Sequence, residues 1–170
     1  MKVFLLFVLC FITYSLNAQQ FFEYKETDYK VTATIVTVND SVVTNYKIYN
    51  LRDHDVIILT DNNGKVRDRG CDELWTRIDS DDSDPLLVPK KPVSFCYLKP
   101  KEYYEISQSF SCNIKDVKRI AILFSLFDME DFEKKCQKKI RKAISNNKNS
   151  IEISCLAAYI NNMYVRFNVK

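Results

Sequence analysis

The stretch from Tyr29 to Val38 alternates: Val31, Ala33 and Ile35 fall on one side of an extended chain, Thr32 and Thr34 on the other. Successive strand side chains point to opposite faces, so this period of two places one face on a core and the other in water. Asn39-Asp40-Ser41 then supplies a turn, and residues 42 to 51 continue with Tyr46 and Ile48 on a common face. Val56 to Leu59 is a short apolar run, and Asn63-Gly64 behind it is a strong hairpin signal because both residues tolerate positive φ.

The pattern persists downstream. Val93, Phe95 and Tyr97 share a face; Pro100-Lys101 turns the chain; Tyr104, Ile106 and Phe110 share the next face. Residues 117 to 127 are apolar on both sides, as in a central strand. Asn161-Asn162 separates residues 151–160 from 163–169 and predicts a C-terminal hairpin, with Val165, Phe167 and Val169 pointing one way and Tyr164, Arg166 and Asn168 the other. About seven to nine strands with short connections predict a mainly β fold, an antiparallel sandwich.

One segment breaks the period. Between Asp128 and Asn146, Met129, Phe132, Cys136, Ile140, Ala143 and Ile144 recur at helical spacing and form one apolar stripe. Six of the nine residues from Lys134 to Lys142 are Lys or Arg. With Glu130, Asp131 and Glu133 ahead of them, these charges suit a helix dipole. Glu130–Lys134 and Asp131–Lys135 have i,i+4 spacing. Asp128 is a candidate cap and Asn146-Asn147 a left-handed stop. The reading is a single amphipathic helix over about residues 129–146, inserted before the hairpin and lying on the sandwich, its lysines a solvated face. An anionic lipid surface is a weaker fit, since the stripe lacks Trp and Leu. Nucleic acid is weaker again, since no aromatics interleave with the cations.

The N-terminus, MKVFLLFVLCFITYSLNA, orders one charge, about a dozen apolar residues and a short polar end, as a secretory signal peptide does. The apolar run is shorter than the roughly 20 residues of a spanning helix. Residues 1–18 are therefore expected to be removed, leaving 19–170 as a single domain without a transmembrane segment. Ala18 followed by Gln19 resembles signal peptides of Gram-negative bacteria. The expected location is secreted or periplasmic. Of 25 basic residues Lys2 leaves with the leader, giving a net charge of +2 against 22 acidic residues; the positive charge is local to the helical segment.

Composition excludes several chemistries. The only glycines are Gly64 and Gly70, so no phosphate loop, dinucleotide fingerprint or nucleophile elbow can be drawn. The mature chain holds Cys71, Cys96, Cys112, Cys136 and Cys155, without a C-x-x-C and with one histidine; this argues against zinc and, in an oxidising compartment, for disulfides. An odd count leaves one thiol over, and about 15 pairing schemes remain. A bond from Cys136 to Cys155 or Cys112 would pin the helix to the sheet. Asp53-His54-Asp55 holds the only histidine, and is expected to be a solvated turn whose neighbouring side chains point apart. The acidic residues 79–84 offer oxygen ligands for Ca²⁺ but lack the glycine and the distal glutamate of an EF-hand, and fit a loop better. Asn39 heads an N-glycosylation sequon, and Asp40-Ser41-Val42 resembles a bacterial O-glycosylation motif, so Asn39 and Ser41 are candidate glycan sites.

Within FCYLKPKEYYEISQSF, Leu98, Pro100 and Glu102 match the L-x-P-G-E step ahead of a strand in many immunoglobulin-like secreted modules, with Lys101 in place of the glycine. The resemblance implies an immunoglobulin-like sandwich and assigns no site residue. Trp75, four residues after Cys71, does not reproduce the tryptophan between paired cysteines of immunoglobulin domains. The functional expectation is a non-enzymatic binding module without cofactor or metal, acting through loops and sheet edges on a protein or surface glycan. The alternative is an inhibitor of a secreted protease or lysozyme. A hydrolase built on His54 is the weakest reading.

Overall fold

The computed structural model describes residues 19–60, 65–67, 71–78, 92–152 and 162–170. Eleven strands and one α-helix lie within them. In the first sheet, β1 (Gln20–Lys25), β2 (Tyr29–Val38), β3 (Ser41–Asn50) and β8 (Tyr103–Phe110) pair antiparallel in the order β1-β2-β3-β8. The second sheet contains β4 (Val56–Leu59), β5 (Lys65–Arg67), β6 (Glu73–Arg77), β7 (Pro92–Leu98), β9 (Arg119–Asp128), β10 (Ser150–Glu152) and β11 (Asn162–Asn168). Its order is β10-β7-β4-β9-β6-β5, with β11 also on β9. The fold is mainly β, in two sheets.

The first hairpin follows from its sequence. Asn39 and Asp40 take φ of 47° and 62° between the paired Val38 and Ser41. Two successive positive φ values make a type I′ turn, whose twist matches the flanking strands. The inward residues Val31, Ala33, Ile35, Val42, Tyr46 and Ile48 are buried and meet Ile120, Ile122, Phe124 and Leu126 of β9 across the sandwich. One polar bond crosses this core: the Tyr46 hydroxyl donates to the Ala121 carbonyl at 3.3 Å. A buried phenol needs such a partner, and burial raises its pKa above the ordinary tyrosine value.

β9 is the central strand, with both faces covered along much of its length, as its doubly apolar sequence requires. One pairing departs from expectation. β6 runs parallel to β9, Glu73 opposite Arg119 through Arg77 opposite Leu123, so the sandwich is not wholly antiparallel. Among the described residues, β10 pairs with β7 and β11 with β9; the expected hairpin at Asn161-Asn162 falls on residues 153–161, which lie outside the described residues. The apolar face of β11 explains its choice: Val165 and Phe167 are buried in the sandwich core beside β9.

β7 and β8 also belong to different sheets, so the chain crosses the sandwich between them. The crossing is a tight turn: the Glu102 amide donates to the Lys99 carbonyl at 3.1 Å, and Lys101 takes φ 69°. Proline second and positive φ third define a type II turn. Lys101 therefore occupies a left-handed position where the immunoglobulin-like pattern has glycine.

Helix α1 (Lys134–Ser145) lies on the opposite face of the second sheet. Ile57, Leu59, Phe95 and Phe127 from the strands meet Phe132, Cys136, Ile140 and Ala143 in a second core. β4 serves both cores, sending Val56 and Ile58 to the first and Ile57 and Leu59 to the second. The helix starts later than its apolar stripe predicts. Met129–Asp131 is a 3-10 turn, and Phe132 and Glu133 are extended, with ψ of 145° and 146°. Phe132 is buried against Phe127, ring centroids 5.6 Å apart. That packing needs the extended step, which divides the stripe in two and separates Glu130 and Asp131 from the lysines they were expected to pair with along one helix. The stop is as the asparagines suggest. Asn147 has φ 54°, its amide donates to Ile144 at 3.0 Å, and the Lys148 amide donates to Ala143 at 2.8 Å, a Schellman cap. Among the described residues no helix is long and apolar enough to cross a membrane.

Candidate functional site

The site forms where the second core ends, between α1 and the turn that follows β3. Buried Asn50 organises that turn. Its Nδ2 donates to the His54 carbonyl at 2.8 Å and the Leu98 carbonyl at 3.3 Å, and its Oδ1 accepts the Arg52 amide at 3.0 Å. Two backbone groups of the turn and one of β7 are thus met by one amide side chain, so the turn sits against β7 with these groups satisfied.

Held this way, the turn directs its side chains at the end of β9. Asp128 Oδ1 accepts from Arg52 Nη1, and lies 2.9 Å from His54 Nε2. The other imidazole nitrogen, Nδ1, is 2.8 Å from Asp53 Oδ1. Arg52 reaches on to Asp28 Oδ2 at 3.2 Å. The adjacent Asp53 and His54 side chains meet, contrary to expectation, because Asn50 fixes the His54 backbone with its ring toward Asp128. Both nitrogens face carboxylates, which only accept, so the protonated ring can donate from both. Its pKa is raised by the hydrogen bonds to Asp53 and Asp128, and that of Asp53 is lowered, chiefly by the bond from His54.

Beside this cluster the Tyr97 hydroxyl donates to Asp55. Desolvation first, then the carboxylate, push the Tyr97 pKa up to about 12. Across the gap stand Arg141, Ile144 and Ser145 of α1, with Met129 and Glu130 of the 3-10 turn below. They enclose a cleft of about 660 Å³, the size of small-ligand sites. His54, Asp55, Tyr97 and Asp128 are bonded to protein groups, whereas Glu130 and Arg141 carry no ion pair among the described residues. The cleft thus offers one uncommitted carboxylate and one uncommitted guanidinium above an apolar floor. Among the described residues no group of three or more His, Cys, Asp or Glu is arranged to hold a metal.

The other sequence candidates lie elsewhere. Asn39 and Ser41 flank Asp40 at the tip of the β2–β3 hairpin, Asn39 exposed and Ser41 half-buried. Cys71 is exposed before β6, Cys96 is half-buried in β7, and Cys112 is half-buried after β8; all three carry thiols rather than the expected disulfides. Cys96 and Cys112 pack against the first core, where a thiol serves as a small apolar group, and burial raises the Cys96 pKa. Cys136 is buried on the inner face of α1 and does not titrate, being disulfide-bonded; no other described cysteine is its partner. Cys155, the acidic residues 79–84 and Asn63-Gly64 lie outside the described residues. Sequence reasoning missed Arg52, Asp55, Tyr97 and Arg141 as site residues, and took Asp128 only for a cap. Their one shared signal is polarity at the margins of apolar runs.

Comparison with protein-family models, with curated proteins and with solved structures finds no match to this chain.

Proposed function

We propose that the chain is an exported, non-enzymatic binding module of immunoglobulin-like sandwich type, and that it engages its ligand at the cleft between α1 and the residue 51–55 turn. One observation carries the reading: the polar groups best suited to catalysis are committed to one another, and those best suited to holding a ligand are not. His54 has a carboxylate on each ring nitrogen. A general base needs a free nitrogen within reach of the proton it takes, so His54 is placed to brace the cleft wall and not to take a proton. Arg141 and Glu130 remain to meet a ligand carrying both an anionic and a cationic group, such as a peptide segment with mixed charge. The leader of residues 1–18 supports export, to the periplasm or the cell exterior, and the type II turn at Lys101 supports the immunoglobulin-like reading.

The test is NMR titration of the full-length protein with mixed-charge peptides. The amides of Tyr97, Glu130 and Arg141 are expected to shift together, and Ser145→Trp, which fills the cleft, to abolish the shifts. Shifts confined to other surfaces would remove the cleft from the reading. Turnover of ester, glycoside or peptide substrates that His54→Ala abolishes would replace it with an enzyme.

The second reading, an inhibitor of a secreted hydrolase, is favoured by the β2–β3 hairpin. Its type I′ tip is rigid, and Val38, Asn39 and Asp40 are exposed there. Such an inhibitor blocks a protease or lysozyme at near-stoichiometric dose, and loses potency when Asn39-Asp40 is lengthened by two glycines.

A further inference from the structure

The outward half of α1 carries Lys134, Lys135, Lys138, Lys139, Arg141 and Lys142, all exposed. None of the six has an ion pair among the described residues. The arrangement opposes helix stability. Lys134 and Lys135 occupy the first turn, the positive end of the dipole, where a cation is unfavourable. Lys134–Lys138, Lys135–Lys139 and Lys138–Lys142 are like-charge i,i+4 pairs, each unfavourable. Other lysines of this molecule behave differently: on the first sheet Lys30 meets Glu23 at 3.7 Å and Lys47 meets Glu105 at 3.5 Å. A solvated face needs charge of either sign; it does not need six charges of one sign, two of them at the positive end of the dipole.

We propose that this face binds a linear acidic polysaccharide, held through its carboxylate or sulfate groups. The cations form a strip roughly 12 Å long on one helix axis, which suits a polymer chain laid along it. Exposed Glu130, Asp131 and Glu133 close the strip at its N-terminal end and would be pressed against a broad anionic plane such as a bilayer. The apolar residues of α1 all face the sheet: Cys136, Ile140 and Ala143 are buried and Ile144 is half-buried. The strip therefore has nothing to insert into lipid and no aromatic ring on which a nucleic-acid base could stack. The strip shares Arg141 with the cleft, but its five lysines are not part of the cleft lining, and the inference does not rest on the cleft reading.

The experiment compares the full-length protein with Lys134→Gln/Lys135→Gln/Lys138→Gln/Lys142→Gln, which leaves the cleft residue Arg141 in place. The probes are a size-defined heparin fragment and an oligouronate; a charge-matched DNA duplex and phosphatidylglycerol vesicles are the comparators. Saturable binding of the two polysaccharides is expected, weakening on the order of a hundredfold from 50 to 200 mM salt for about four engaged cations. The variant should lose at least tenfold in affinity while its melting temperature holds or rises, because the replaced lysines repel one another. Lys30→Gln/Lys47→Gln should bind as the parent does. Equal affinity of parent and quadruple variant would overturn the proposal, as would tighter binding of the DNA or the vesicles than of either polysaccharide. A fallen melting temperature in the variant would overturn the argument that these charges oppose the fold.

Discussion

The second sheet is covered twice, and the two covers differ in kind. On one face it meets the first sheet, and strands from both sheets interdigitate over a large apolar core closed by the Tyr46–Ala121 bond. On the other it meets one short helix over a small core formed by the ends of β4, β7 and β9. A large core tolerates little deviation from close packing. The small core ends abruptly, and the polar groups of the candidate site collect at its margin. Function is expected where packing stops, because only there do side chains have room to meet a ligand.

The first way to break this comparison is to cut a hole in each of the two cores. Phe124→Ala, in the first, should cost about 4 kcal/mol, and Ile140→Ala, in the second, about 3 kcal/mol. The distinguishing readout is native-state hydrogen exchange. Phe124→Ala should accelerate exchange across both sheets. Ile140→Ala should accelerate α1 and the residue 51–55 turn first, leaving β2 and β3 near parental protection. Uniform acceleration in both variants would mean that helix and sandwich open as one unit.

Asn50 joins the two regions, since its side chain holds the turn that faces the helix while its backbone ends β3. Replacing it with Ala leaves the His54 and Leu98 carbonyls and the Arg52 amide without that partner. The expected cost is about 2 kcal/mol, given roughly 1 kcal/mol per hydrogen bond and partial rescue by water. Chemical denaturation gives the magnitude. Broadened NMR signals for residues 51 to 55, with β8 unaltered, would place the damage on the helix side.

The sandwich was legible because period-two alternation is local: Val31, Ala33 and Ile35 reveal their face whatever strand they pair with. Which strand pairs with which was not. The parallel β6–β9 pair and the crossing from β7 to β8 between sheets depend on contacts far apart in sequence, and a turn signal such as Pro100-Lys101 serves a crossing as well as a hairpin. The helix was legible in existence and in its stop at Asn147, and misjudged at its start, where the burial of Phe132 overrides a continuous helical period. The site was the least legible part. His54 was conspicuous as the only histidine, yet its environment comes from Asp53 beside it, Asp128 at the end of β9 and the Asn50 amide; Arg141 looked like one of several surface cations.

Lys101 sharpens the comparison from the sandwich side. A left-handed backbone costs a non-glycine residue about 1 kcal/mol or more, and Lys101 at φ 69° bears that cost where β7 crosses to β8. Lys101→Gly should stabilise the protein by roughly 0.5–1 kcal/mol, less than the full relief because glycine adds freedom to the unfolded chain. Thermal unfolding should show a rise of about 1–4 °C, with binding at the cleft and at the basic strip unaltered. A lower melting temperature would mean that the lysine side chain contributes more than its backbone costs.

The smallest effect belongs to the helix side and concerns pH. His54 has a folded-state pKa raised above its unfolded value of about 6.5 by Asp53 and Asp128. Its contribution is therefore fully present below about pH 6.5 and is lost as pH rises through the folded pKa. Asp53, whose pKa is lowered by the same contact, contributes above the unfolded carboxylate range and loses that contribution as pH falls through its folded pKa. Both groups are open to solvent, so screening keeps the effect modest. Denaturation midpoints measured from pH 5 to 9 should decline across the histidine range in the parent and not in His54→Gln, which retains a donor without the titration. Because the imidazolium braces the wall of the cleft through Asp128, the same decline should appear in the protection of residues 51 to 55 and not in that of β2. Equal declines in both segments would show that the charge acts on the whole fold and not on the margin of the smaller core.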